Sequence, residues 1–177
     1  MGRKRRKRRK NSKQRKTKSL APNLIIAIDR SKKKKTMYSF VSIEDTNLPK
    51  LAQSAPWLSH LTERTKKEKK SYINRFPDRF QKIKPLLEDW KVDPEIEEIK
   101  LRMQRKHYKL AVIDDDLYER GKLPTHRAIK ESIGKKQSHL KPLINLADNL
   151  AYIGREEYEH SKNIRELKEK LRKLGII

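Results

Sequence analysis

The sequence predicts a mainly α-helical protein: a helical bundle with a helix-turn-helix-like unit, one small N-terminal β-hairpin and a disordered basic N-terminal arm. Three observations lead there. Apolar residues recur at spacings of three and four through most of the chain after residue 47, the period of an amphipathic helix. Only residues 23–46 read as strands. The first eighteen residues carry twelve Lys or Arg and no acid, a block that repels itself and cannot bury a core. The expected organisation is therefore an arm over 1–22, a hairpin over 23–46 and an α-helical domain over 47–177, with the two-helix unit at about 119–152.

Composition narrows the function classes. Of 177 residues, 34% are hydrophobic and 40% charged, and the net charge is +24. The arm accounts for half of that charge, so the body is basic too. A field of this size attracts polyanions, nucleic acid first. Nothing approaches eighteen consecutive apolar residues, so no membrane span is expected. No apolar stretch follows the N-terminal charges as a secretory signal would require. With zero cysteines there is no disulfide, thiolate zinc site or cysteine nucleophile. The expected home is a reducing compartment holding nucleic acid: cytoplasm or nucleoid in a bacterial or viral setting, nucleus in a eukaryote.

In chain order, the arm comes first. Arg3, Lys4, Arg5, Arg6, Lys7, Arg8, Arg9 and Lys10 form its densest part, suited to neutralising phosphates and releasing counterions. Next, Leu24–Ile28 reads as a short apolar strand. Met37–Ile43 returns as its partner, with Lys32, Lys33, Lys34 and Lys35 as a positive knob at the tip. Leu24-Ile-Ile-Ala-Ile-Asp29 followed by a turn and a second strand resembles the opening hairpin of RNase H-type nucleases. The resemblance implies a metal-binding role for Asp29 and demands further carboxylates on later strands, because two cations must be held about 4 Å apart. No later strand is evident in the sequence, so Asp29 reads as a turn residue and no metal ligand is assigned.

Leu48–Trp90 reads as short helical pieces broken by Pro49, Pro56, Pro77 and Pro85. Their aromatics (Trp57, Tyr72, Phe76, Phe80, Trp90) fall at core spacing. The longest helix is expected from Asp93 or Pro94 to near Gly121, on the stripe Ile96, Ile99, Met103, Leu110, Ile113, Leu117. Asp114, Asp115 and Asp116 would then splay about 100° apart on consecutive helical positions and read as a solvated face.

Glu119–Leu150 reads as two short helices. Pro124-Thr125 opens the first and Gly134 stops it. Ser138 caps the second, which carries Leu140, Leu143, Ile144, Ala147 and Leu150 on one face. Gly121–Gly134 resembles the first half of the helix-turn-helix in plasmid- and phage-type bacterial DNA-binding proteins, although Lys130 stands where a small residue is usual. The resemblance implies that Lys135, Lys136, Gln137, Ser138, His139 and Lys141 meet DNA, with Gln137 suited to adenine and Lys141 to guanine. At the C-terminus, Ile164, Leu167, Leu171 and Leu174 suit a helix closing its own core, or a short homodimeric coiled coil.

Other chemistry lacks support. His60, His107, His126, His139 and His160 show no ligand spacing, and no phosphate loop or nucleophile elbow occurs. No catalytic residue, cofactor or small-molecule substrate is expected. The leading expectation is a non-enzymatic nucleic-acid binder, DNA favoured over RNA, in a plasmid, mobile-element or viral setting. The alternatives are a structural RNA-binding part of a ribonucleoprotein, ribosomal or nucleocapsid-like, and a metal-dependent RNase H-like nuclease using Asp29.

Overall fold

The computed structural model describes residues 23–61 and 64–177, so the basic arm lies outside the described residues. A five-stranded mixed sheet organises the chain: β1 (Leu24–Lys32), β2 (Thr36–Glu44), β3 (Leu87–Asp93), β4 (Tyr108–Ile113) and β5 (Ala128–Lys130), in the order β3-β2-β1-β4-β5. β1, β2 and β3 form an antiparallel meander, while β4 and β5 run parallel to β1. The helices are α1 (Leu48–Ser54), α2 (Lys66–Ile83), α3 (Ile96–Gln104), α4 (Asp115–Glu119), α5 (Glu131–Gly134), α6 (Lys141–Glu159) and α7 (Ile164–Lys173). This α/β architecture overturns the expected mainly α bundle, and the expected lone hairpin is two of the sheet's five strands.

Alternation along the strands sorts side chains between two layers. Ile25, Ala27, Met37, Val41 and Val112 face a core shared with α1, α2, α6 and α7. Ile26, Ile28, Phe40, Ala111 and Ile113 face a second core under α3 and α4. Burial on both faces is what hid β4 from the sequence. A short, doubly buried strand is a continuous apolar run, and Leu110, Ile113 and Leu117 also satisfy helical spacing. The long helix expected from residue 93 to 121 is instead α3, β4 and α4.

The helix-turn-helix-like unit is absent from the fold. Ala128–Lys130, expected inside its first helix, pairs with Ala111–Ile113 as the edge strand β5. Only one helical turn, α5, precedes Gly134. The expected recognition helix is the start of α6, which buries ten residues, among them Leu143, Ile144, Ala147 and Leu150, against the sheet. That burial leaves no apolar-backed helix free to enter a groove. Two other expectations change. α2 runs through Pro77, because its stripe of Tyr72, Phe76, Phe80 and Ile83 is buried. Each such side chain contributes about 1.5–3 kcal/mol, together more than the roughly 3 kcal/mol an interior proline costs. The piece expected to be helical up to Trp90 ends as β3, where Trp90 meets the Phe80 ring edge-on at 5.7 Å. At the C-terminus, Leu167 and Leu171 of α7 are buried in the chain's own core.

A candidate acidic cleft at the strand ends

The parallel pairings of β1, β4 and β5 stop in step, while β1 itself runs on to Lys32 against β2. Ile28 of β1 is the register partner of Ile113 of β4, and Ile113 is the partner of Lys130 of β5. The residue after each partner is an acid: Asp29, Asp114 and Glu131. Register alone therefore lines up three carboxylates just past the last parallel pairs of β1, β4 and β5, on the carboxyl side of the parallel part of the sheet, the usual place for a ligand crevice in an open α/β sheet. One oxygen from each lies within 4.8 Å of the others.

Each acid is held by its local structure. Asp29 is a strand residue, not a turn residue. It pairs with Ser39 across the hairpin, continues the face of Ile25 and Ala27 towards α6, and is only 7% exposed. The Asp114 N–H donates to the carbonyl of Ile28 at 2.9 Å. Its carboxylate caps α4, accepting from the Leu117 N–H at 3.0 Å, and Arg30 approaches it at 3.8 Å. Because Asp114 ends a strand instead of sitting within a helix, it diverges from Asp115 and Asp116. Asp115 turns to the Ser132 N–H at 2.9 Å, and Asp116 binds Arg30 and Arg120. The expected solvated helical face is thus three carboxylates with three separate tasks. Glu131 opens α5 and is paired with Lys135 one turn on.

α6 supplies a fourth carboxylate. Asp148 lies beside the other three and receives His60 Nδ1 at 3.2 Å. That hydrogen bond raises the His60 pKa above its ordinary value, outweighing the opposing effect of burial. Burial pushes the Asp29 pKa well above its ordinary value, reinforced by the negative charges of Glu131, Asp148 and Asp114. Four acids therefore converge on a cleft of about 470 Å³.

The rim of this cleft is cationic. Lys32 and Lys33 of the hairpin, Lys135 and Arg155 line it with Tyr152 and Ser31. Arg155, buried on α6, donates to Ser31 Oγ at 2.9 Å and pairs with Glu156 and Glu159, fastening the hairpin to the helix. Lys35 is occupied with structure. Its Nζ donates to the carbonyls of Tyr158 (2.7 Å) and Ser161 (3.1 Å) at the end of α6.

The expected DNA-reading residues run from the end of α5 to the first residue of α6. Lys135 belongs to the acidic cleft. Lys136, Gln137, Ser138 and His139 occupy the loop between α5 and α6, and Lys141 begins α6. Arg3, Lys4, Arg5, Arg6, Lys7, Arg8, Arg9 and Lys10 lie outside the described residues. Asp114, Glu131, Asp148 and His60 carry the cleft, and none was expected to. One signal for Asp114 was present: Leu-Ala-Val-Ile-Asp114 repeats the pattern of Ile-Ile-Ala-Ile-Asp29, an apolar run ended by aspartate.

The residues present suit a hard divalent cation. All the donors are carboxylate oxygens, the set preferred by Mg²⁺ or Mn²⁺. No protein-family model matches the sequence, and no curated protein matches it.

Proposed function

We propose that the chain is a metal-dependent phosphodiesterase acting on nucleic acid, the nuclease alternative raised by the Asp29 hairpin. The observation that carries this reading is the row Asp29, Asp114, Glu131, each directly after a register-matched last parallel pair, with oxygens within 4.8 Å of one another. The resemblance of the first hairpin to RNase H-type nucleases demanded further carboxylates on later strands of the same sheet, and the residues directly after β4 and β5 offer them. The sequence by itself favoured a non-enzymatic binder because those strands could not be read from it.

Divalent cations held between these acids would lower the pKa of an attacking water and offset the charge that builds on the phosphate. The chain's own residues prepare that chemistry. The β1 ladder fixes Asp29 with little freedom, and the Leu117 N–H fixes Asp114. Lys135 holds Glu131 and adds positive charge at the wall of the cleft. Lys32 and Lys33 attract the phosphate backbone without regard to base. Hydrolysis then joins a water oxygen to phosphorus, breaks one P–O ester bond and returns the proton to the departing sugar oxygen.

The test uses the full chain with labelled DNA and RNA, single-stranded and duplex, in Mg²⁺ or Mn²⁺. Cleavage is expected, stopped by a chelator and reduced about a hundredfold or more in Asp114→Asn, the scale on which loss of one charge-stabilising group is felt. Absence of cleavage of every nucleic acid, or full activity in Asp114→Asn, contradicts the reading.

A further inference from the structure

The acidic cleft does not account for the strongest unpaired positive charge in the described structure. Several cations elsewhere are paired: Lys91 with Asp93, Arg102 with Asp89, Lys109 with Asp45, Lys130 with Glu119. α2 is different. It carries seven lysines and arginines against two acids, and none of the seven forms a salt bridge with another described residue. Like charges along one helix repel and destabilise it. The buried aromatic stripe on the opposite side sustains the helix in spite of them.

One of these cations, and an arginine just before the helix, are set in place over rings. Arg79 lies over Trp57, its guanidinium carbon 5.4 Å from the ring centre. Arg64, just before the helix, lies over Tyr72 at 4.4 Å and donates to Ser59 Oγ at 2.7 Å and 3.1 Å. Arg75 and Arg79 stand one turn apart, about 6 Å along the axis, close to the step between successive phosphates on an extended strand. Arg64, Arg75 and Arg79 line a shallow groove of about 160 Å³ over Tyr72. The carboxylate in that groove, Glu68, is turned to the Thr65 N–H at 2.8 Å.

The groove also leads to the cleft. Ser59, which receives Arg64, is followed by His60, which contacts Asp148. Asn149, next to Asp148, donates to the Ser59 carbonyl at 3.3 Å and to the Tyr72 hydroxyl at 3.0 Å. We propose that Arg64, Arg75 and Arg79 form a track for one strand of nucleic acid, gripping successive phosphates and delivering the strand to the acidic cleft. The track itself stands on the α2 geometry; its role in delivery rests on the nuclease reading. Guanidinium groups held on aromatic faces are pre-organised for phosphate.

The test is binding of the full chain to a labelled single strand in chelator, over a range of salt concentrations, with no cleavage needed. Arg75→Ala with Arg79→Ala is expected to weaken binding and to reduce the slope of log affinity against log salt by about 1.4, since each phosphate contact on a single strand contributes about 0.7. Arg75→Lys with Arg79→Lys, which keeps the charge, is expected to restore the slope. Arg165→Ala with Lys168→Ala removes equal charge from α7 and is expected to leave it unchanged. Circular dichroism checks that each variant is folded. An unchanged slope in the α2 alanine pair, an equal loss in the α7 pair, or the same slope change with polyglutamate in place of nucleic acid overturns the track. A chain that binds through α2 yet never cuts keeps the track and refutes the nuclease reading. A chain that cuts, but whose slope ignores Arg75 and Arg79, does the reverse.

Discussion

Asp29 carries a charge that the fold opposes. Its pKa is raised in the native state by burial and by three neighbouring carboxylates, relative to the ordinary 3.8. A group whose native pKa lies above its unfolded value binds more protons in the native state. Its contribution to stability is therefore full below 3.8 and is lost as pH rises through the native value. At neutral pH in chelator, Asp29→Asn is expected to melt higher than the wild type, and the difference is expected to close as pH falls below 3.8. Thermal melts across pH measure this directly. A variant that melts lower at neutral pH would mean that the carboxylate is there for structure. A group that costs stability where it sits is the usual mark of a residue kept for chemistry.

At the scale of elements, α6 determines how the cleft closes. It must lie close to the sheet for Asp148 to reach Asp29, and Gly154 permits the approach. A Cβ there would come within 2.6 Å of Val92 Cγ1 and 2.8 Å of Met37 Cγ. Gly154→Ala is expected to cost about 1–3 kcal/mol by overpacking, read from the urea midpoint. An unchanged midpoint would show that α6 has room to move and that its spacing does not set the site. The elements differ in how plainly the sequence announces them. β1 and β2 were legible because a hairpin brings its own turn and alternation. α7 was legible in part, from its 3-4-3 stripe. β4 was not, since Ala111, Val112 and Ile113 are buried on both faces and the segment satisfies two periods at once. β5 was not either, because three residues carry no period at all. Pro124, Thr125 and Gly134, read as helix punctuation, instead bracket an edge strand and a single turn of helix.

At the scale of the whole molecule, two fields of opposite sign lie side by side: four carboxylates in a cleft, and cations along its rim and on α2. The excess of positive charge was plain in the composition and pointed to nucleic acid. The acidic site was not, because Asp29, Asp114, Glu131 and Asp148 are separated by up to 119 residues and meet only through strand register and the placing of α6. Asp29 was singled out as a ligand candidate, but without visible partners it read as a turn, and Asp114 was read as part of a solvated helical face. The central claim is that this row of acids is a divalent-cation site. It is tested most directly by titrating the metal-free full chain with Mn²⁺ in a calorimeter, beside Asp29→Asn and Glu131→Gln. The wild type is expected to bind Mn²⁺, with the strongest site lost in both variants. Binding that is absent from the wild type, or undiminished in the variants, would contradict it.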